Sequence, residues 1–390
     1  MIVVDVLIVV VLLVALVGGI RRGLFASIGT LAGVVAGGFA AQWVTPLVSA
    51  WVPSPEWRGI AVLGSVIGLL VVGATLGSVI GMALRSGTDK LRLRGIERFL
   101  GGVAGVAIAA LAVALVAPAV TAVGVPGISS AVGSSRAVQM IDRLTPPVVD
   151  SALAELRSAV LDDGLPSLGD LLAPGAASPQ PPVALDDPQL QQAAASVARV
   201  SGTAYSCGRS STGSGFVVAP DRVVTNAHVV AGVDTPIVEL PGGSAREGRV
   251  VYFDPIDDLA VIAVDDLAAA PLVLSTTLAP GTSAVIQGYP LGGPFTMTSA
   301  GVLSVGTVPV ADIYDSQLTP REIYSLQSAV RPGNSGGPLL TDDGAVAGVV
   351  FARAQNDDTR GYAMTLAELS PVADRATSLS DPVASGECIG

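Results

Sequence analysis

Hydrophobic positions divide this chain into two textures. Before residue 125 they form long, nearly unbroken runs at residues 2–20, 24–48, 60–84 and 99–123. A helix needs about 20 residues to cross the hydrocarbon core of a bilayer, so the pattern predicts four membrane-spanning helices. Small residues recur four apart within the runs, as Gly29/Gly33/Gly37, Gly64/Gly68 and Gly73/Gly77/Gly81. Such steps let helix backbones approach closely in lipid, so a compact α-helical bundle is expected. Asp5 is the one acid inside a run. It stands near the end of the run, where an interfacial role fits better than a transport path. From residue 197 onward, short runs of Val, Ile and Leu alternate with Gly, Pro and Asp turns, as in GSGFVVAP, RVVTNAHVV, GRVVYFD, LAVIAV and SAVIQGYP. This texture predicts about ten to twelve strands and no long helix, an all-β barrel or sandwich. Residues 124–196 read as a partly helical, Pro-rich linker. Residues 151–161 (SALAELRSAVL) have helical spacing, and residues 173–188 are an extended Pro- and Ala-rich spacer.

Composition sharpens this division. Half of the 390 residues are hydrophobic and the mean hydropathy is +0.63, too apolar for a purely soluble protein. Residues 1–120 carry eight Lys and Arg against four Asp and Glu, whereas residues 121–390 carry thirteen against twenty-eight. A mildly basic membrane half is therefore joined to an acidic soluble half. Nucleic acid is excluded as a partner, because phosphate binding needs a basic face.

The charges also set orientation through the positive-inside rule. Arg21 and Arg22 follow the first run, and Arg85, Lys90, Arg92, Arg94 and Arg98 follow the third. Only Arg58, beside Glu56, lies between the second and third. Trp43, Trp51 and Trp57 bracket that outer loop, as an aromatic belt would. The N-terminus and everything after the fourth run are thus expected outside the cytoplasm, on a multi-pass protein of the plasma membrane. No basic residue precedes the first run, so it does not read as a cleaved signal peptide. Cys207 and Cys388 are the only cysteines, both in the soluble half. That compartment favours a disulfide between them over two free thiols. With a single histidine they do not make a metal site, and no metal or cofactor is expected.

The candidate chemistry lies in three places. Residues 328–340 read SAVRPGNSGGPLL, a Gly- and Pro-rich loop around Ser335. Such a loop can set a hydroxyl beside converging main-chain N–H groups, the pairing of nucleophile and oxyanion hole that acyl transfer needs. Residues 223–230 read VVTNAHVV and end a β run at His228, the only histidine of the chain. Residues 254–261 read DPIDDLAV, an acid cluster running into an apolar strand. The order His, Asp, Ser is one of those known for a catalytic triad. Ser335 needs a base to take its proton, and His228 needs an acid to hold its tautomer. Asp258 abuts the strand and is assigned that role, with Asp257 and Asp254 as fallbacks.

TNAHVV, DxxDLAV and GNSGGPL resemble the chymotrypsin-fold serine proteases of the HtrA (DegP-like) branch. The helical front half resembles, with weaker motifs, the CvpA (colicin V production) family. Together, with a cysteine near each end of the protease, they resemble the MarP family of membrane-anchored periplasmic serine proteases. The resemblance implies a four-helix membrane domain over residues 1–123, the linker, and a protease over residues 197–390 built as a double six-stranded β-barrel. It implies His228 as base, Asp258 as orienting acid and Ser335 as nucleophile. The oxyanion hole falls on the N–H groups of Gly333 and Ser335, with Asn334 between them. It also implies processing of envelope proteins or peptides under acid or oxidative stress. The base of the S1 pocket falls on Ala329, walled by the strand holding Gly348 and Phe351; nothing there is acidic, so apolar rather than basic P1 residues are expected. Asn334 stands where trypsin-like zymogens carry Asp, so activation through an ion pair with a new N-terminus is not expected. Activation through a PDZ domain after about Leu369 is not expected. Two other functions compete: a catalytically idle scaffold or sensor on the same fold, and a membrane assembly factor or transporter with an accessory protease.

Overall fold

The computed structural model describes residues 2–52, 55–85, 94–122, 128–146, 149, 152–153, 165–169, 172, 183–204 and 209–389. Its contacts separate into two compact units, residues 1–119 with 131–160, and residues 120–130 with 161–390. Most of residues 151–161, together with residues 173–182, Lys90 and Arg92, lie outside the described residues.

The apolar runs form α1 (Ile2–Arg22), α2 (Leu24–Trp51), α3 (Pro55–Arg85) and α4 (Arg94–Ala122). Large apolar side chains such as Leu7, Val14, Phe39, Trp43, Val71 and Val79 are exposed, as on a surface that faces lipid. Among the described residues, three stretches are long and apolar enough to cross a bilayer: Ile2–Arg22, Leu24–Ala41 and Glu97–Ala117. The apolar stretch of α3, Ile67–Ala83, is shorter, so the expected count of four resolves into three full-length candidates and one shorter segment. The small-residue steps have a visible purpose. On α2 and α3, Gly29 faces Gly77 and Gly33 faces Gly73 so closely that a Cβ on any of them would overlap the other's carbonyl. Gly64 and Gly68, by contrast, have open space where a Cβ would stand. Asp5 is tied into this unit. Its carboxylate accepts from Ser135 Oγ at 2.6 Å and from Ala137 N–H at 3.0 Å. It thereby caps α6 (Arg136–Leu144), which follows the short α5 (Ile128–Gly133).

The second unit holds two β-barrels. The first is closed in the order β2 (Val197–Ala204), β3 (Arg209–Ala219), β4 (Arg222–Thr225), β7 (Leu259–Val264), β6 (Arg246–Asp254), β5 (Ile237–Glu239). The second runs β8 (Ser283–Gly288), β9 (Thr296–Ala311), β10 (Leu318–Gln327), β13 (Arg360–Thr365), β12 (Val346–Ala354), β11 (Pro338–Leu340) and back to β8. These are the twelve strands, in two rings of six, that the sequence pattern and its resemblance imply. Two pieces of the interval read as linker are built into this unit. β1 (Ser167–Leu168) pairs in parallel with the end of β12, at Arg353 and Ala354. α7 (Pro188–Ala194), capped by Asp187, buries Leu190 fully.

β7 shows why the sequence folds this way. All six of its residues are buried. Leu259, Val261 and Ala263 face the cluster holding Val285, Val349 and Phe351, whereas Ala260, Ile262 and Val264 face the interior of the first barrel with Val200, Val223 and Val238. A strand covered on both faces reads as one continuous apolar run rather than an alternation. The catalytic candidates sit at the ends of such strands, in α8 (Ala227–Val230) after β4, in the turn between β6 and β7, and in the loop before β11.

Candidate active site

The turn between β6 and β7 sorts the three acids. Asp254 Oδ1 accepts from the N–H groups of Ile256 and Asp257, and its Oδ2 accepts from Tyr252. That carboxylate builds the turn. Asp257 makes no bond to the histidine, and burial pushes its carboxyl above the usual range, with the neighbouring Asp254 adding to the rise. Asp258 ends the turn with a φ of 55°, a left-handed conformation that Asp tolerates better than most residues. This points its side chain at α8. Asp258 Oδ1 accepts from the His228 backbone N–H at 2.9 Å, and Oδ2 lies 2.8 Å from His228 Nδ1. Asn226 Nδ2 donates to the Asp258 carbonyl at 2.9 Å, fixing turn and helix to each other. Asp258 is 2 % exposed and His228 7 %. The Nε2 atom of His228 has no hydrogen-bond partner, and neither has the Oγ of Ser335, which is 2 % exposed.

The nucleophile loop is held plane by plane. The Pro332 carbonyl accepts from Leu291 N–H at 2.6 Å. In a trans peptide the N–H points opposite to the carbonyl, so this bond turns the Gly333 N–H away from Leu291. The Asn334 carbonyl accepts from Gly337 N–H at 2.9 Å and turns the Ser335 N–H in the same manner. The N–H groups of Asn334 and Gly336 are used internally, on Arg331 O and Val350 O. Those of Gly333 and Ser335 make no bond among the described residues. Gly333 has a φ of 89° and Gly336 one of 80°. A side chain at either would collide with backbone, that of Tyr289 and of Ser214 respectively.

Sequence reading missed Ser214, in the GSGF run. It is fully buried; its N–H donates to Ser335 O at 2.7 Å, and its Oγ donates to Gly333 O at 2.6 Å while accepting from Tyr289 N–H at 2.9 Å. A residue of the first barrel thus clamps the loop of the second. The GSG and GYPLGG runs, residues 213–215 and 288–293, are the signals available in the sequence.

The residues assigned to S1 separate. Ala329 is exposed on the loop between β10 and Ser335. Phe351 is buried on β12, at an irregularity in the β12–β13 register, and lines a cavity of about 240 Å³ together with His228 and Asp258. Gly348 does not line that cavity; it is packed against the Met364 carbonyl of β13 and the ring of Tyr324. Cys388 is disulfide-bonded, and Cys207, its expected partner, lies outside the described residues. The described residues hold no cluster of His, Cys, Asp and Glu suited to a metal ion.

Comparison with known proteins agrees with both halves. The family described as "Trypsin-like peptidase domain" matches residues 213–349, and the family "Colicin V production protein" matches residues 4–146. The serine protease Rv3671c of Mycobacterium tuberculosis (strain ATCC 25618 / H37Rv) is 32 % identical over 394 residues, which cover 99 % of this chain and 98 % of that protein. Mitochondrial serine protease HTRA2 of Bos taurus is 41 % identical over 143 residues, 36 % of this chain and 31 % of that protein. The crystal structure of the Rv3671c protease in its active form superposes with a TM-score of 0.51 at 35 % identity, covering 56 % of this chain and all of that one. The chain is therefore a membrane-linked, trypsin-like serine protease, and it belongs to the MarP family, in which a colicin V production (CvpA) domain precedes the peptidase domain.

Proposed function

We propose that the chain is a serine endopeptidase anchored by four membrane spans, with its protease unit outside the cytoplasm, acting on envelope proteins through Ser335, His228 and Asp258. The observation that carries this reading is the buried His228–Asp258 pair, 2.8 Å apart, whose outer nitrogen is unpartnered. Ser335 Oγ attacks the scissile carbonyl and passes its proton to His228 Nε2. Asp258 holds the Nδ1–H and offsets the imidazolium charge. The unused N–H groups of Gly333 and Ser335 receive the oxyanion. His228 then protonates the leaving amine, and water releases the acyl group by the reverse path. An apolar P1 side chain is expected at a pocket based on Ala329, which offers no acid to partner a basic one. A Cys207–Cys388 disulfide closes the protease unit on itself, and a part in acid or oxidative stress is what family membership implies.

A second reading, the idle scaffold, draws support from one fact: Ser335 Oγ and His228 Nε2 are not hydrogen-bonded to each other. Such bonds are often loose without substrate and tighten in the complex, so the protease reading is preferred. Fluorophosphonate labelling of the full-length protein in detergent, with intact-mass readout, tests it. A single adduct is expected on the parent and none on Ser335→Ala or His228→Ala, with the unlabelled mass two protons below that of the reduced chain. Labelling that survives Ser335→Ala would refute the assignment, and no labelling of the parent would favour the scaffold.

A further inference from the structure

Among the described residues, the largest fully buried side chain is a cation that the triad does not explain. Arg321, on β10, is 1 % exposed. Its Nη2 donates to the Ala311 carbonyl, but Nε and Nη1 have no hydrogen-bond partner. The guanidinium lies over the Phe351 ring, 5.7 Å from its centroid. It lines the same cavity as His228 and Asp258. A guanidinium keeps its proton under all ordinary conditions, so its charge must be met by other charges.

The charged groups around it come from five elements. Asp254, Asp257 and Asp258 stand at the β6–β7 turn, and Asp312 and Asp315 follow β9. Glu368 is on α9 (Leu366–Ala373) and accepts from the N–H of Glu322, on Arg321's own strand. His228 faces the cavity from α8. Burial pushes the Arg321 guanidinium down, and Asp258 is the foremost of the carboxylates that push it back, ahead of Asp257, Glu368 and Asp254. Asp312 is otherwise engaged, accepting from Ser316 and from the N–H of Tyr314. Among the described residues, the Asp258 carboxylate accepts hydrogen bonds only from His228, through the backbone N–H and Nδ1.

We propose that Arg321 is a positioning residue: the buried cation that lets Asp258 remain ionised while His228 is neutral. A general base must start neutral. At that moment the Asp258 carboxylate is a buried anion whose donors carry no net charge, and such an anion is costly to leave uncompensated. Without Arg321 the pair would take up a proton, on His228 or on Asp258, and a protonated pair no longer removes the proton of Ser335. Arg321 touches no reacting atom, and its effect on the reaction runs through Asp258.

This inference rests on the triad reading, and the test separates the two. Full-length parent, Arg321→Met, Arg321→Gln and Arg321→Lys are compared in detergent for folding by circular dichroism and for kcat and KM against pH on a peptide ester. In a folded neutral variant, kcat at pH 7 should fall at least about tenfold with KM little changed. The acidic limb should rise by about one pH unit or more. Arg321→Lys should retain the parent's limb and most of its kcat. On an Asp258→Asn background the neutral substitution should cost nothing further. A folded Met or Gln variant with the parent's kcat and limb overturns the proposal, and so does an equal loss on the Asp258→Asn background. Should neither neutral variant fold, a folded Lys variant more than about tenfold down in kcat overturns it, and a Lys variant with parental kcat and limb supports it. Failure of the triad itself shows differently, as a parent that His228→Ala does not inactivate.

Discussion

Ser214→Ala removes one oxygen atom from the clamp on the nucleophile loop. The Gly333 carbonyl loses the hydroxyl that donates to it at 2.6 Å, and the Tyr289 N–H loses its acceptor at 2.9 Å. The site is fully buried, so water does not replace either bond without a rearrangement. An unsatisfied buried donor or acceptor costs about 1–3 kcal/mol, and the two together should cost about 2–4 kcal/mol. For a unit of this size that lowers the melting midpoint by roughly 5–15 °C. The remaining Ser214 N–H bond to Ser335 O is untouched, so the loop should stay in place but loosen, and labelling of Ser335 should slow at least about threefold. The assay is fluorophosphonate labelling of full-length protein, first at 25 °C and then after brief heating across a temperature series. Ser211→Ala is the control. It lies on the same strand and gives up a single bond, to Val229 O at 2.6 Å, at a partly buried site. A Ser214→Ala protein whose midpoint lies within about two degrees of the parent's, with labelling as fast as the parent's, would refute the claim that this residue holds the oxyanion loop.

Two further outcomes are expected. Gly77→Leu should break the α2–α3 contact, because its Cβ would overlap the Gly29 carbonyl, whereas Gly68→Leu enters open space. Overpacking of this kind costs about 1–3 kcal/mol or more, and the yield of monodisperse protein in detergent should fall for the first variant alone. Asp312→Asn should lower the melting midpoint at pH 7. Burial pushes the Asp312 carboxyl up, but the Ser316 hydroxyl and the N–H groups of Ser316 and Tyr314 outweigh it and hold it below the usual range. A depressed folded value stabilises the protein above the unfolded value, about 3.9, and that stabilisation is lost as pH falls through the folded one. The gap between parent and variant should therefore close in acid, and a gap that widens would contradict the assignment.

What the sequence made legible, and what it did not, follows the range over which each residue acts. His228 and Ser335 stood out because their flanks carry the signal, a β run ending in TNAH and a loop of glycines. Asp258 stood out from Asp254 and Asp257 because it alone touches the apolar run of β7, and the structure gives the reason: Asp254 is consumed by its own turn. The glycine steps predicted close helix contacts but not their partners, since Gly64 and Gly68 have the same spacing and meet nothing. Gly348 and Phe351 were assigned to one strand wall, yet residues three apart on a strand point to opposite faces. Alternation therefore already separates the two, and Phe351 shares its face with Val349. Ser214, Leu291 and Arg321 act on residues far along the chain, through long-range hydrogen bonds or through the charge of a buried cation. No local periodicity marks them. Arg321 sits in a strand between Pro320 and Glu322, where an arginine reads as a solvated edge residue. Its meaning arises only when barrel closure brings β10 beside the turn that carries Asp258. In this protein the reacting groups are local in sequence, and the groups that hold their geometry and charge are not.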